Sequence, residues 1–167
     1  MSKSLVFTSN QGTKYEVDEY VINKCETFKN LSEDSPDVEG EEREVLKIEA
    51  DDDSIQIMLD YIKQYKEWED SGVKIPEEDI ENSFHVFEKD REFLSKYTNP
   101  EIIKVGGLNG FGSFIDYPRF RTICEKESAR RIEKLSTEEI RELTGEVDDY
   151  TEEERQQVIK QNKFLFE

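Results

Sequence analysis

Two helix starts lie near each other in the carboxyl-terminal part of the chain, at Ser136-Thr137-Glu138-Glu139 and at Thr151-Glu152-Glu153-Glu154. In each, a hydroxyl residue precedes a glutamate by three positions, and side chains so spaced can cap two backbone N–H groups at a helix start. The first predicted helix carries Ile140 and Leu143 and then reaches Gly145, a residue that favours a left-handed C-cap.

Both predicted helices are short and sparsely apolar. The second carries Val158, Phe164 and Leu165. Isolated helices shorter than about 12–15 residues are marginal in water, and so few apolar positions cannot bury a core between the two helices. We therefore expect them to present a surface against which another protein packs.

Composition limits both the core and the partners. The chain has 167 residues, of which 34% are hydrophobic and 38% charged, and its formal net charge is −18. This length allows one domain with a core and an appended subdomain. The negative charge repels phosphate backbones and anionic membranes, so we expect neither nucleic-acid nor membrane binding. Residues 1–7 lack the apolar stretch of a signal peptide, so we expect a soluble intracellular protein.

The sequence does not predict an enzyme, a metal site or a cofactor. Cys25 and Cys124 are the only cysteines and His85 is the only histidine, which is too few ligands for a zinc site. We interpret both cysteines as buried and unpaired, and His85 as structural, because a general base also needs a nucleophile and an orienting group. The glycine-rich segment 106–112 lacks the lysine and Ser/Thr of a phosphate loop, and indicates close helix packing followed by a break.

Strand and helix patterns alternate in the amino-terminal half. Residues 5–8 and 13–18 predict a hairpin around Gly12, because both runs are rich in β-branched and aromatic residues. Asp18 can cap a following helix of about three turns, whose apolar residues recur at helical spacing. Residues 45–48 predict a short strand, and residues 55–65 give the clearest amphipathic helix, after an aspartate-rich start.

Two acidic segments, near 32–44 and 67–82, interrupt these patterns and are predicted to be loops. Trp68 stands at the start of the second. It could anchor a partner or pack back onto its own domain, and the sequence leaves both alternatives open. Asn99-Pro100 then begins another predicted helix, with Ile102 and Val105 among its apolar residues.

Three parts of the chain together resemble the Skp-type adaptor subunit of SCF (Skp, cullin, F-box) ubiquitin ligases. Tyr15-Glu16-Val17-Asp18 resembles the family's second strand, and Phe114-Ile115-Asp116 stands where the family has Tyr-Leu-Asp. From there to Glu138-Glu139-Ile140-Arg141 the spacing fits without a gap. The three similar parts are Thr13–Asp34, Leu46–Tyr65 and Phe114–Phe164.

The resemblance implies a fold and two binding surfaces. The fold is α/β (α+β): a BTB/POZ core with a small sheet covered by helices, over residues 1–135, followed by carboxyl-terminal helices over 136–167. In the family, these last helices bind the F-box helices of a substrate receptor, and the core binds a cullin scaffold. The implied F-box contacts are Ile132, Ile140, Leu143, Val158 and Phe164, and the implied cullin contacts are Ser113 and Phe114.

The chain departs from the family at several positions. Phe164 replaces a tryptophan, and Ser113 and Phe114 replace an Asn-Tyr pair, which reduces hydrogen bonding toward a cullin. Thr137 stands where many members have a proline that some lineages hydroxylate and glycosylate, so we predict no such modification here. The segment 96–113 is longer than the family's and rich in glycine, so we expect its cullin-facing helix to be remodelled.

The resemblance implies a non-catalytic adaptor of the ubiquitin-like conjugation pathway, located in the cytoplasm and nucleus, that links F-box proteins to a cullin. The weakened Asn-Tyr position supports an alternative, an F-box-binding structural subunit of the kinetochore or proton-pump assembly type. An elongin-C-like adaptor shares the BTB core but ends before the added helices. A homodimer through the BTB face is a further association that this fold allows.

Overall fold

The computed structural model describes residues 3–33, 46–76, 86–106 and 115–163. Within these ranges the mixed α/β class is confirmed. The chain divides into two compact units, Met1–Glu133 and Lys134–Glu167. The described elements are β1 (Ser4–Thr8), β2 (Lys14–Asp18), α1 (Glu19–Lys24), α2 (Glu26–Glu33), β3 (Leu46–Lys47), α3 (Asp52–Asp70), α4 (Glu88–Leu94), α5 (Asn99–Gly106), α6 (Pro118–Ile132), α7 (Thr137–Thr144) and α8 (Glu152–Gln161).

The sheet of the first unit has the strand order β2-β1-β3. The predicted hairpin is confirmed: β1 and β2 pair antiparallel, and Gly12 has a φ of 86°, a conformation that glycine adopts without a Cβ penalty. β3 pairs parallel to β1, and the amide of Ile48 continues the ladder by donating to the Thr8 carbonyl at 2.8 Å. The predicted strand at 45–48 is thus found at Leu46–Lys47, and Val45 lies outside the described residues.

The prediction of one continuous first helix is wrong. Asp18 caps α1 as expected, accepting from the Val21 amide at 3.0 Å, but Cys25 has extended backbone angles and separates α1 from α2. After this break, the Glu26 amide donates to the Asp116 carbonyl at 3.1 Å. A distant segment therefore supplies a partner for an amide at the start of α2, which makes the break tolerable.

α3 is capped by Asp51, which accepts from the Ser54 amide at 3.1 Å. The helix continues to Asp70, so the prediction that the second acidic loop begins at residue 67 is wrong. The reason is Trp68, which is 8% exposed and packs edge-on against Tyr61 and Phe87. Of the two alternatives for this tryptophan, packing onto its own domain is confirmed.

The first acidic loop also begins later than predicted, because α2 extends to Glu33 and includes Ser32. The remaining acidic stretches, 34–45 and 77–85, lie outside the described residues, and so does His85. Cys25 and Cys124 are buried and free, as predicted. Burial raises the pKa of the Cys25 thiol to about 12 and raises that of Cys124 as well.

Close packing between α5 and α6 is confirmed at Gly106. A Cβ on this glycine would lie 2.5 Å from the backbone carbon and oxygen of Cys124 and 2.6 Å from Ser128 Oγ. The same Ser128 hydroxyl donates to the Ile102 carbonyl at 3.0 Å. The glycine-rich residues 107–112 lie outside the described part of the chain.

A buried polar network joins α6 to α3 and α4. Arg119 donates from Nη2 to Asp90 Oδ2 at 2.5 Å and from Nε to Tyr61 Oη at 2.8 Å. The Tyr61 hydroxyl in turn donates to Asp90 Oδ1 at 2.9 Å, and Arg119 Nη1 donates to the Pro76 carbonyl at 2.6 Å. Each nitrogen of the Arg119 guanidinium and the Tyr61 hydroxyl therefore donates at least one hydrogen bond to a defined acceptor, as buried charge requires.

Candidate protein-docking surface

α7 begins with the reciprocal cap that its sequence predicts. Ser136 Oγ accepts from the Glu139 amide at 3.2 Å, and Glu139 Oε2 accepts from the Ser136 amide at 2.7 Å. The helix ends at Gly145, which has a φ of 71° and donates its amide to the Arg141 carbonyl. Both helix ends are therefore satisfied locally, without a tertiary partner.

α8 begins in the same way. Thr151 Oγ1 accepts from the Glu154 amide at 3.3 Å, and Glu154 Oε2 accepts from the Thr151 amide at 2.9 Å. The Thr151 side-chain and backbone hydrogen bonds lower the pKa of Glu154. Since a lowered carboxyl pKa contributes stability above its unfolded value, this cap is intact at neutral pH and is lost as acid protonates the glutamate.

These two capped helices have no core of their own, since no residue of α7 or α8 is buried. The exposed fraction is 42% for Val158, 45% for Ile159, 54% for Tyr150 and 84% for Val147. These four are the large hydrophobic residues exposed within the described part of the chain, and all lie in the second unit. Exposed apolar side chains concentrated in one small unit are typical of a surface that binds another protein.

An ionic contact, rather than buried side chains, connects α7 and α8. Asp148 lies in the connector 145–151, and its Oδ2 contacts Arg141 Nη1 of α7 at 3.0 Å and Arg155 Nη2 of α8. The hydrogen bond from Arg155 is the main cause that lowers the pKa of Asp148, with further contributions from the charges of both arginines and the Tyr150 amide. Asp148 is therefore ionised at neutral pH and bound to one cation from each helix.

The predicted F-box contacts fall in different places. Ile140 and Leu143 are half-buried on α7, three positions apart on one helix face, and Val158 is exposed on α8. Ile132 is the half-buried last residue of α6, in the first unit. Phe164 and the two predicted cullin contacts, Ser113 and Phe114, lie outside the described residues.

The end of α6 that carries Ile132 is fixed by Arg131. This arginine donates to the Leu94 carbonyl at 2.7 Å and the Tyr97 carbonyl at 2.8 Å. Its Nε also donates to Glu127 at 2.7 Å, one turn earlier on α6. Because Arg131 is hydrogen-bonded to carbonyls at the end of α4 and just after it, the end of α6 and with it Ile132 are held in position.

Sequence reasoning missed several residues of this surface. Val147, Asp148 and Tyr150 lie in the connector, and Arg155 follows the three glutamates at the start of α8. Val147 and Tyr150 could have been found from the sequence, because an aliphatic and an aromatic residue in a short acidic connector indicate a binding surface. Nothing in the sequence around Asp148 indicates its contacts, because Arg141 and Arg155 are each seven residues away.

Within the described ranges, no group of three or more histidine, cysteine, aspartate or glutamate residues is arranged to hold a metal ion. Among the helices described, none combines the length and the apolar content needed to cross a membrane.

The mixed fold and the exposed, capped helices define a class: a protein that acts by binding other proteins. Residues 122–164, which include most of α6 and all of α7 and α8, match the model of the Skp1 family, dimerisation domain. The resemblance to Skp1-type SCF adaptors is therefore confirmed, and so is the prediction of a non-catalytic adaptor.

Two curated proteins of Arabidopsis thaliana are similar along nearly the whole chain. SKP1-like protein 19 is 27% identical over 188 aligned residues, which cover 99% of this chain and 94% of the relative. SKP1-like protein 14 is 26% identical over 166 aligned residues, which cover 99% of both chains.

Proposed function

We propose that this chain links F-box substrate receptors to a cullin scaffold in an SCF-type ubiquitin ligase, with the second unit as the F-box-binding part. One observation carries the proposal: α7 and α8 are capped at their starts and bury no residue of their own. Helices so short gain most of their stability from packing against an apolar face. The partner that provides such a face is the helical F-box.

Burial of the exposed residues supplies a driving force for this contact. Full burial of one aliphatic or aromatic side chain stabilises by about 1.5–3 kcal/mol, and Val158 and Ile159 are adjacent and about half exposed on α8. Ile140 and Leu143 add a second apolar pair on α7. An amphipathic partner helix, with its apolar residues on one stripe, is the ligand that such surfaces accept.

The proposed mechanism is simultaneous occupation of two surfaces. An adaptor that holds a substrate receptor and a scaffold together raises the effective concentration of substrate at the ligase, and needs no catalytic residue of its own. The cullin contact is proposed from the resemblance of the chain to the family, in which Ser113 and Phe114 occupy the positions of the cullin-contacting Asn-Tyr pair. We propose cytoplasmic and nuclear localisation, where the other components of such ligases act.

Replacement of Val158 by aspartate is expected to weaken the binding of a purified F-box domain by at least about tenfold, because a charge would enter an apolar contact. Isothermal titration calorimetry with the full chain measures this effect. Gln157→Asp is the matched control, since it adds the same charge at the preceding, exposed position of α8. Equal affinities of the two variants, or no binding by the wild-type chain at micromolar concentration, would contradict the proposed F-box surface.

An F-box-binding structural subunit outside ligases is a second candidate. Ser113-Phe114 supports it, because this pair lacks the amide and the phenol found in the family. Co-purification of the tagged chain, with mass spectrometry of the bound proteins, separates the two functions. F-box proteins together with a cullin support the ligase adaptor, whereas F-box proteins without a cullin support the structural subunit.

Light scattering of the purified chain tests the proposed homodimer through the BTB face.

A further inference from the structure

An apolar core normally fixes the angle between two helices, but none is found among residues 134–163, the part of the second unit that the structure describes. No residue of α7 or α8 is buried, so buried side chains on these two helices do not determine how α8 leaves the connector. An ionic contact is what joins the two helices here. Both arginines of the unit, Arg141 and Arg155, contact the same oxygen of Asp148.

The geometry of this contact is that of a clamp, which we define as Arg141, Asp148 and Arg155. Arg141 Nη1 lies 3.0 Å from Asp148 Oδ2, and Arg155 Nη2 donates to the same atom. The Tyr150 amide makes a further, smaller contribution to the lowered pKa of this carboxylate. A carboxylate that joins two cations, one from each helix, restrains the connector more than an isolated surface pair does.

We propose that Asp148 is a positioning residue for the docking surface: its carboxylate holds α7 and α8 in the arrangement that an F-box helix binds. This inference rests on the proposed function. Preorganisation acts on affinity because a partner that meets an already ordered surface does not lose free energy to ordering it. The inference assigns a role in binding to a residue that is not expected to be part of the apolar contact.

The neighbouring residue Asp149 provides a matched control. It carries the same charge one position later, and within the described part of the chain no ion pair or hydrogen bond of its side chain is found. Asp148→Asn and Asp149→Asn therefore change the net charge equally, but only the first removes the clamp. Any effect of general charge on partner binding appears in both variants.

The test is the affinity of the full chain and of each variant for one purified F-box domain, at low and at high salt. Asp148→Asn is expected to bind about threefold to tenfold more weakly than wild type at low ionic strength, as loss of a small ion-pair network predicts. Asp149→Asn is expected to stay within about twofold of wild type. The difference between wild type and Asp148→Asn is expected to shrink in about 1 M salt, where exposed ion pairs are screened.

Hydrogen exchange of the free chain tests the clamp without any partner. The amides of α8 are expected to exchange faster in Asp148→Asn than in wild type or Asp149→Asn, while those of the first unit remain unchanged. If the wild-type chain binds no F-box domain, the proposed function fails, and the exchange result then decides the clamp by itself. Equal exchange in both variants, or equal loss of affinity, would overturn the inference.

Discussion

Replacement of Asp90 by alanine is expected to destabilise the first unit by about 3–5 kcal/mol, because it leaves the buried guanidinium of Arg119 without its counter-charge. The Arg119 side chain is 8% exposed and the Asp90 side chain 1% exposed, with the charged atoms 2.5 Å apart. Tyr61 would also lose the acceptor of its hydroxyl. Urea unfolding followed by fluorescence measures the loss, and Trp68, the only tryptophan, packs directly against Tyr61.

Two further variants separate the lost charge pair from the lost side chain. Asp70→Ala makes the same substitution at the exposed end of α3 and is expected to change stability by at most about 0.5 kcal/mol. The double variant Asp90→Leu/Arg119→Met removes both charges and is expected to recover much of the loss, since apolar residues often replace a buried pair without cost. A loss below about 1 kcal/mol in Asp90→Ala would show that water reaches Arg119.

The expected recovery follows from the electrostatics of the pair. Burial raises the pKa of Asp90 more than the charge of Arg119 and the hydrogen bond from Tyr61 lower it. The desolvation of the carboxylate is therefore not fully compensated by its partners. We therefore expect the pair to fix α6 against α3 and α4 more than it adds net stability.

Features that depend on a few neighbouring residues could be predicted from the sequence. A cap needs only a side chain and an amide two or three positions away, so the pattern of hydroxyl and carboxyl residues predicts it directly. The hairpin turn at Gly12 has the same local origin. The side-chain caps confirmed in this way are Asp18, Asp51, Ser136 and Thr151, and Gly145 is confirmed as a left-handed C-cap.

Features that depend on distant segments could not be predicted. The break at Cys25 is stabilised by a hydrogen bond to the Asp116 carbonyl, and the last turn of α3 by the packing of Trp68 against Phe87. Hydrophobic periodicity contains no information on either contact, because the partner lies in another part of the chain. The pairing of Arg119 with Asp90, which are 29 positions apart, is a third example.

The docking surface, like the fold, could be predicted only in part. The apolar residues of α7 and α8 were found by resemblance and by spacing, and the conclusion that the helices lack a core followed from how few apolar residues they carry. The clamp at Asp148 was not found, because the sequence shows only one more acidic residue in an acidic connector. Its role depends on the path of the connector, which brings two arginines from opposite sides to one oxygen.

Replacement of Gly106 by alanine is expected to destabilise the first unit by about 2–3 kcal/mol, although alanine is the better helix former by about 1 kcal/mol. Gly106 is the last residue of α5, and a Cβ there would lie 2.5 Å from backbone atoms of Cys124. A backbone on α6 cannot rotate away as a side chain can, so the two helices must separate. Separation would loosen the contacts of Ile102 and Val105, which are both buried on α5.

The same urea titration, repeated with two more variants, identifies the steric cause. Lys104→Ala places alanine at an exposed position of the same helix and removes only a surface ion pair with Asp51, so a change of at most about 1 kcal/mol is expected. Ser128→Ala in the Gly106→Ala background removes the third close atom, Ser128 Oγ, but leaves the Cys124 backbone in place. Little recovery is expected from it, because the backbone contact is the one that cannot relax. If Gly106→Ala were as stable as wild type or more so, helix propensity would outweigh the contact, and α5 and α6 would have to lie farther apart than the structure shows.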